Sequence, residues 1–283
     1  MKYLKIVIVV IVIALIAGGA TYYFTRQHTG GDIEVGGGDT RDKTIEKDIK
    51  EKIDASPANR FCAQEYDAIL KRINLFFKDQ PTKKKTWEAK LNGAYTTKFI
   101  EQANYVFDHK VWRTNDIAII RKELNHCLSF SPDNAGLAAI KQVLQNYDKL
   151  VAFDKQVANA CSQKPKCVKD EKYFYMEDNW DIATTKKLLS QIPSATGKVV
   201  NSPVYANTRK NKVYERLHKG HKKFIDMKMQ YSETKAESFT DSNHKDWESM
   251  GTYLSRCFDT YYEQWNESTS YWRQQLASWE PLQ

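Results

Sequence analysis

Proline and glycine are scarce, at 7 and 12 in 283 residues, so collagen-like and low-complexity chains are excluded. Runs of strict two-residue apolar alternation are lacking, which argues against a sheet-built fold. There is no CxxC and no tight Cys/His cluster, so a zinc-finger site is not expected. The chain also lacks GxSxG and HExxH, the short signatures of serine hydrolases and zinc peptidases. Its glycine clusters do not sit between a strand and a helix, so they do not form a phosphate loop. No cofactor and no metal site is implied, and no catalytic residue can be named.

What remains is a globular composition, 41% hydrophobic and 28% charged, with 16 Tyr, 12 Phe and 7 Trp. The formal net charge is +8. It is unevenly spread: Lys198–Lys228 carries 9 basic and 2 acidic side chains, and Thr240 to the end carries 3 basic and 7 acidic. Such asymmetry suits an anionic partner, or a basic helix lying beside an acidic one.

The first 26 residues, MKYLKIVIVVIVIALIAGGATYYFTR, hold no charge between Lys5 and Arg26. A run of about 20 apolar residues suits a membrane-spanning helix. Lys2 and Lys5 place its start in the cytoplasm by the positive-inside tendency, and Tyr22, Tyr23 and Phe24 fit an interfacial belt. Gly18 and Ala20 also allow a cleaved signal peptide, but apolar character continuing through Phe24 favours an uncleaved anchor. The expected organisation is an anchor over 1–25, a flexible spacer with a short charged helix over 26–56, and an extracytoplasmic helical domain over 57–283. The lipid bilayer is the partner of residues 6–24, and the bulk is expected in the periplasm or at the cell surface.

The domain reads as an all-α antiparallel bundle of about six to seven helices. Ser56 and Pro57 look like the cap and first residue of a helix carrying Phe61, Tyr66, Ile69 and Ile73. Further helices are expected over about 85–108, 115–128, 131–161, 180–190, 204–230 and 243–279, with an irregular stretch over 161–179. In the last helix Phe258, Trp265, Trp272 and Trp279 recur every seven residues and stay on one side. Such a stripe usually marks burial; Trp279, near the end before Pro281, is the ring expected to stay uncovered.

Five cysteines occur. Outside the cytoplasm disulfides are permitted, and Cys161 with Cys167, flanking a short loop, is the expected bridge. It would contribute on the order of 2 kcal/mol. Cys62 and Cys127 should lie at opposite ends of an up-down bundle. Two ExxH pairs, Glu123/His126 and Glu215/His218, have the helical spacing of di-iron ligands. They lie off the apolar stripes of their helices and read as solvated residues, as do His218 and His221 among Lys219, Lys222 and Lys223.

The leading functional expectation is a membrane-anchored binding or scaffolding module of the cell envelope. Its partner would be an envelope protein or an anionic glycan. The candidate binding residues are Tyr214, Lys219, Lys222, Lys223, Tyr231 and Trp279, rings and cations that could stack on sugars and contact anionic groups. Nucleic acid is not an expected partner in that compartment. The alternative is an anchored enzyme acting on an envelope polymer, glycan or peptidoglycan, through dispersed acidic residues.

Overall fold

The computed structural model describes residues 39–170, 173–177, 180–239, 262–263 and 265–278. Side chains of residue 39, 167–177 and 231–239 are not part of that description. The expected anchor at 1–25 lies outside it. Among the described residues no helix is long and apolar enough to cross a membrane.

The architecture is helical, with one short hairpin. The helices are α1 (Asp39–Asp48), extended by a π-helical segment (Ile49–Asp54), α2 (Ala63–Phe76), α3 (Pro81–Asp108), α4 (Thr114–Phe130) and α5 (Ala135–Cys161). After the hairpin come α6 (Ile182–Ser190), a 3-10 turn (Gly197–Asn201), α7 (Pro203–Thr208) and α8 (Lys210–Phe239). The C-terminal helix is described over 265–277.

Helix length sets the arrangement. α3 has 28 residues, whereas α2 has 14 and α4 has 17. At 1.5 Å per residue α3 is about 42 Å long. Two short helices therefore stack end to end along it. The Tyr66 hydroxyl at the start of α2 reaches Asn92 Oδ1 in mid-α3 (2.9 Å). His126 near the end of α4 meets the ring of Tyr95, also in mid-α3, at 5.7 Å. The start of α2 thus touches the end of α4, with the Tyr66 and His126 centroids 5.1 Å apart.

This corrects the expected separation of Cys62 and Cys127. Both are buried free thiols at that junction, each pushed up to about 12, chiefly by burial. The charge of Cys62 adds to the shift at Cys127. The expectation failed because it took each helix of an up-down bundle to run from end to end, whereas α2 and α4 each cover only part of α3.

Pro81 opens α3 at its first turn, where a missing N–H costs nothing. Asn134, not Ser131, caps α5, accepting from the N–H groups of Gly136 and Leu137. Ser56 does not cap α2; its hydroxyl donates to the Lys52 carbonyl (2.8 Å) and closes the π segment. The basic helix expected over 204–230 is broken at Arg209, which is extended (φ −62°, ψ 143°).

The charged helix placed in the spacer is docked on the domain. Ile45 and Ile53 are fully buried in the first core, with Ile49 packed against it. Four α-helical residues overshoot a turn by about 40°. The wider π turn rotates less per residue, so it brings Ile53 back in line with Ile45. Asp42 accepts from the Trp87 indole (2.8 Å) and the Lys83 ammonium (2.9 Å).

α5 is the second spine. Leu137, Ile140, Leu144 and Leu150 belong to the first core, and Phe153, Val157 and Ala160 to a second. That second core gathers Trp180, Ile182 and Leu188 from the α6 region, Val213, Leu217, Phe224 and Ile225 from α8, and Tyr271 and Trp272.

Within the stretch expected to be irregular, β1 (Lys166–Asp170) and β2 (Tyr173–Glu177) pair antiparallel, with Lys166 opposite Glu177 and Asp170 opposite Tyr173. The expected Cys161–Cys167 disulfide is not formed: Cys161 is a free thiol. Cys161 ends α5 facing α8, where its thiol donates to the Arg216 carbonyl (3.4 Å).

If α1 is part of the domain, Ile45→Ala should lower unfolding stability by about 2–5 kcal/mol in urea titrations. A change within about 0.5 kcal/mol would mean that α1 is a free spacer after all.

Candidate functional site

Thr185, His221, Lys228 and Ser268 are buried on the elements that form the second core. Gly220 makes the close packing of that core possible. A Cβ there would meet the Trp180 ring at 2.4 Å and Cys161 Sγ at 2.9 Å. With no side chain at 220, the indole of Trp180 crosses close over α8 and lies near-parallel to His221, centroids 5.7 Å apart. The Trp180 N–H donates to Thr185 Oγ1 (2.9 Å).

His221 lies on the buried side of α8 at 4% exposure, which overturns its reading as a solvated residue. Trp272 Nε1 is 3.0 Å from its Nδ1, and Ser268 Oγ is 2.8 Å from the same atom. An indole N–H can only donate, so Nδ1 is the acceptor and the ring proton sits on Nε2. The Ser268 hydroxyl donates to the same lone pair. Burial, aided by the charges of Lys228 and His218, lowers the imidazole to about 4. His221 is therefore neutral at ordinary pH and ties α8 to the C-terminal helix.

A serine bonded to a histidine has the outline of a nucleophile and its base, but this pair is a poor one. The base's lone pair is shared with Trp272, its basicity is low, and no carboxylate bonds to the ring among the described residues. The general-base geometry that activates a serine is missing.

Beside this latch runs a groove between α8 and the C-terminal helix, with a volume of about 250 Å³. Its buried lining is Ile225, Ser268 and Trp272; Trp265 and His218 are half-buried, and Lys222, Arg273 and Leu276 are exposed. Thr269 also lines it, and no carboxylate does so among the described residues. His218 meets the Trp272 ring edge-on at 5.0 Å, and its Nδ1 is buried without a hydrogen-bond partner. Burial and the neighbouring Lys222 and Lys219 lower the His218 pKa. The groove thus offers two indoles, a neutral imidazole with an open nitrogen, and two cations.

Of the residues anticipated for binding, only Lys222 lines this groove. Lys219 is bonded to Glu215 (2.7 Å), which Lys212 also holds (2.9 Å). These two ammonium groups lower the Glu215 carboxyl to about 2, so its ExxH pair with His218 is dismantled: the acid binds lysines and the imidazole faces the groove. Lys223 is exposed away from the groove. Tyr214 packs on the second core, with the Lys210 ammonium 6.0 Å from its ring. The Tyr231 side chain and all of Trp279 and Phe258 lie outside the described residues. In the aromatic stripe, Trp272 is core, whereas Trp265 is half-buried and borders the groove.

Sequence reasoning missed His221, Ser268, Trp265 as a groove wall, and Arg273. For His221 a signal was present: it lies four residues after Leu217 and three before Phe224, on the buried stripe itself. No group of three or more potential metal-ligating side chains occurs among the described residues. No family model matches the chain, and no curated protein or solved structure is detectably similar to it.

The lowered pKa of His221 makes stability fall with acidity. The unfolded state binds the proton near pH 6.5 and the folded state only near 4, so stability is intact above about 6.5 and lost as pH falls toward 4. Between about pH 7 and about pH 5 this group should remove roughly 2 kcal/mol. Urea titrations should show that share vanish in His221→Gln; an unchanged pH slope in the variant would mean that His221 is not the buried neutral ring described.

Proposed function

We propose that this chain is a membrane-anchored, extracytoplasmic binding module of the cell envelope that holds an anionic glycan in the groove between α8 and the C-terminal helix. One observation carries the reading: the groove combines Trp265 and Trp272 with Lys222 and Arg273, and no acidic side chain among the described residues lines it. Indole faces stack on the apolar faces of sugar rings. Guanidinium and ammonium groups at the rim would engage carboxylate or phosphate substituents, the guanidinium in a bidentate manner.

The apolar run at 6–24 supports the membrane attachment. The same surface serves an envelope protein that presents acidic side chains. Hydrolysis of an envelope polymer by paired acids finds no support here. Glycosidase chemistry needs two carboxyl groups flanking the bond, and the described residues of this groove include none.

The test is a titration of the purified full-length protein with a short uronic-acid oligosaccharide and a neutral oligosaccharide of equal length, followed by tryptophan fluorescence. The acidic ligand should bind, and binding should weaken with added salt. Lys222→Glu combined with Arg273→Glu should weaken it by at least about tenfold, equivalent to about 1.4 kcal/mol. Equal binding of the neutral sugar, or an unchanged affinity in the double variant, would contradict the proposal.

A further inference from the structure

A second cavity lies far from this groove in the chain, where the start of α2 meets the end of α4 along mid-α3. It encloses about 170 Å³ and is bordered by Ala63, Tyr66, Asp67, Tyr95, Lys122, Glu123 and His126. Glu123 decides its character. The sequence placed this residue on a solvated face, yet it is only 6% exposed. No hydrogen bond and no ion pair to its carboxyl occurs among the described residues. A buried carboxylate without a partner is costly, and this one borders an open cavity.

The remaining walls are aromatic. The rings of Tyr66 and Tyr95 lie 4.7 Å apart and are tilted by 48°. The His126 ring stands nearly perpendicular to both, at 5.1 Å from Tyr66 and 5.7 Å from Tyr95. Phe130 backs Tyr66 in a parallel stack at 6.2 Å. Ring faces carry negative electrostatic potential and attract cations, best when the cation is desolvated. Asp67 adds a second negative charge at the border.

We propose that this cavity binds a small organic ammonium ion, with the charge on Glu123 and the alkyl groups against Tyr66, Tyr95 and His126. Burial, with Asp67 nearby, raises the Glu123 pKa, and a bound cation would oppose that shift. The aromatic walls favour an alkylated ammonium over a metal ion, which would need more oxygen or nitrogen ligands than the cavity supplies. Among the described residues Lys122 is the one lysine or arginine on the border. It is exposed and forms no ion pair among the described residues, so it leaves Glu123 open to a ligand. The site is independent of the anion-receptive groove, and its failure would leave that reading untouched.

Choline is the probe, with 3,3-dimethyl-1-butanol as its neutral isostere, titrated calorimetrically into the full-length protein. Choline should bind saturably, and the neutral alcohol at least about tenfold more weakly. Glu123→Gln keeps the shape, removes the charge, and should weaken choline by a similar factor. Comparing the two ligands on the unaltered protein keeps the test valid if the variant misfolds. Displacement of bound choline by glycerophosphocholine but not by glycerophosphoglycerol would assign a lipid headgroup. Binding of soluble choline alone would assign a free cation, and either carries the proposal. Equal affinity for choline and the alcohol, unaltered choline binding in Glu123→Gln, or no saturable choline binding at millimolar concentration would overturn it.

Discussion

The structure depends on a mismatch of helix lengths. α3, with 28 residues, is longer than α2 and α4, which pack on it, and α5, with 27 residues, runs through both cores. A long helix faced by shorter neighbours buries its apolar face only when they cover it in series. Each place where two coverings meet is a joint, and joints are hard to fill. α2 and α4 meet over mid-α3, and their joint is lined by Tyr66, Tyr95, His126 and the unpartnered Glu123. α5 passes from the first core to the second and links them along one continuous backbone.

The second core solves a different problem. α8 is rich in lysine, and its ends are polar, so packing against the C-terminal helix needs a specific attachment. His221 supplies it by accepting from Trp272 and Ser268, a buried network fully satisfied at the shared nitrogen. The expected side-by-side placement of the basic and acidic helices is present here. Its described contacts are rings and an imidazole rather than ion pairs between the two helices. Holding the helices at this point leaves a groove alongside, lined by the aromatic side of one helix and the basic side of the other.

Much of the helical layout was legible in the sequence, because apolar periodicity of 3.6 dominates every long segment. Ends were read less well. Ser56–Pro57 resembles a helix start but terminates the preceding π segment, and the Ser131 entry begins three residues later, at Asn134. The hairpin was missed because strands of five residues are too short for alternation to stand out. The deeper errors concern faces. Glu123 was judged against a single apolar stripe, yet its helix packs on two neighbours and buries a wider arc than one stripe predicts, whereas His221 lies on its stripe and was read from the lysines around it. Lys222 was anticipated because rings and cations were sought together. Its partners Trp265 and Arg273 come from a helix that only tertiary packing brings alongside.

The central claim is that the groove between α8 and the C-terminal helix is where this protein meets its ligand. Hydrogen–deuterium exchange of the full-length protein, with and without an acidic oligosaccharide, tests it most directly. The account predicts slowed exchange in residues 218–225 and 265–276, with α2 and α3 unaffected. Protection confined to other helices, or none at saturating ligand, would contradict it.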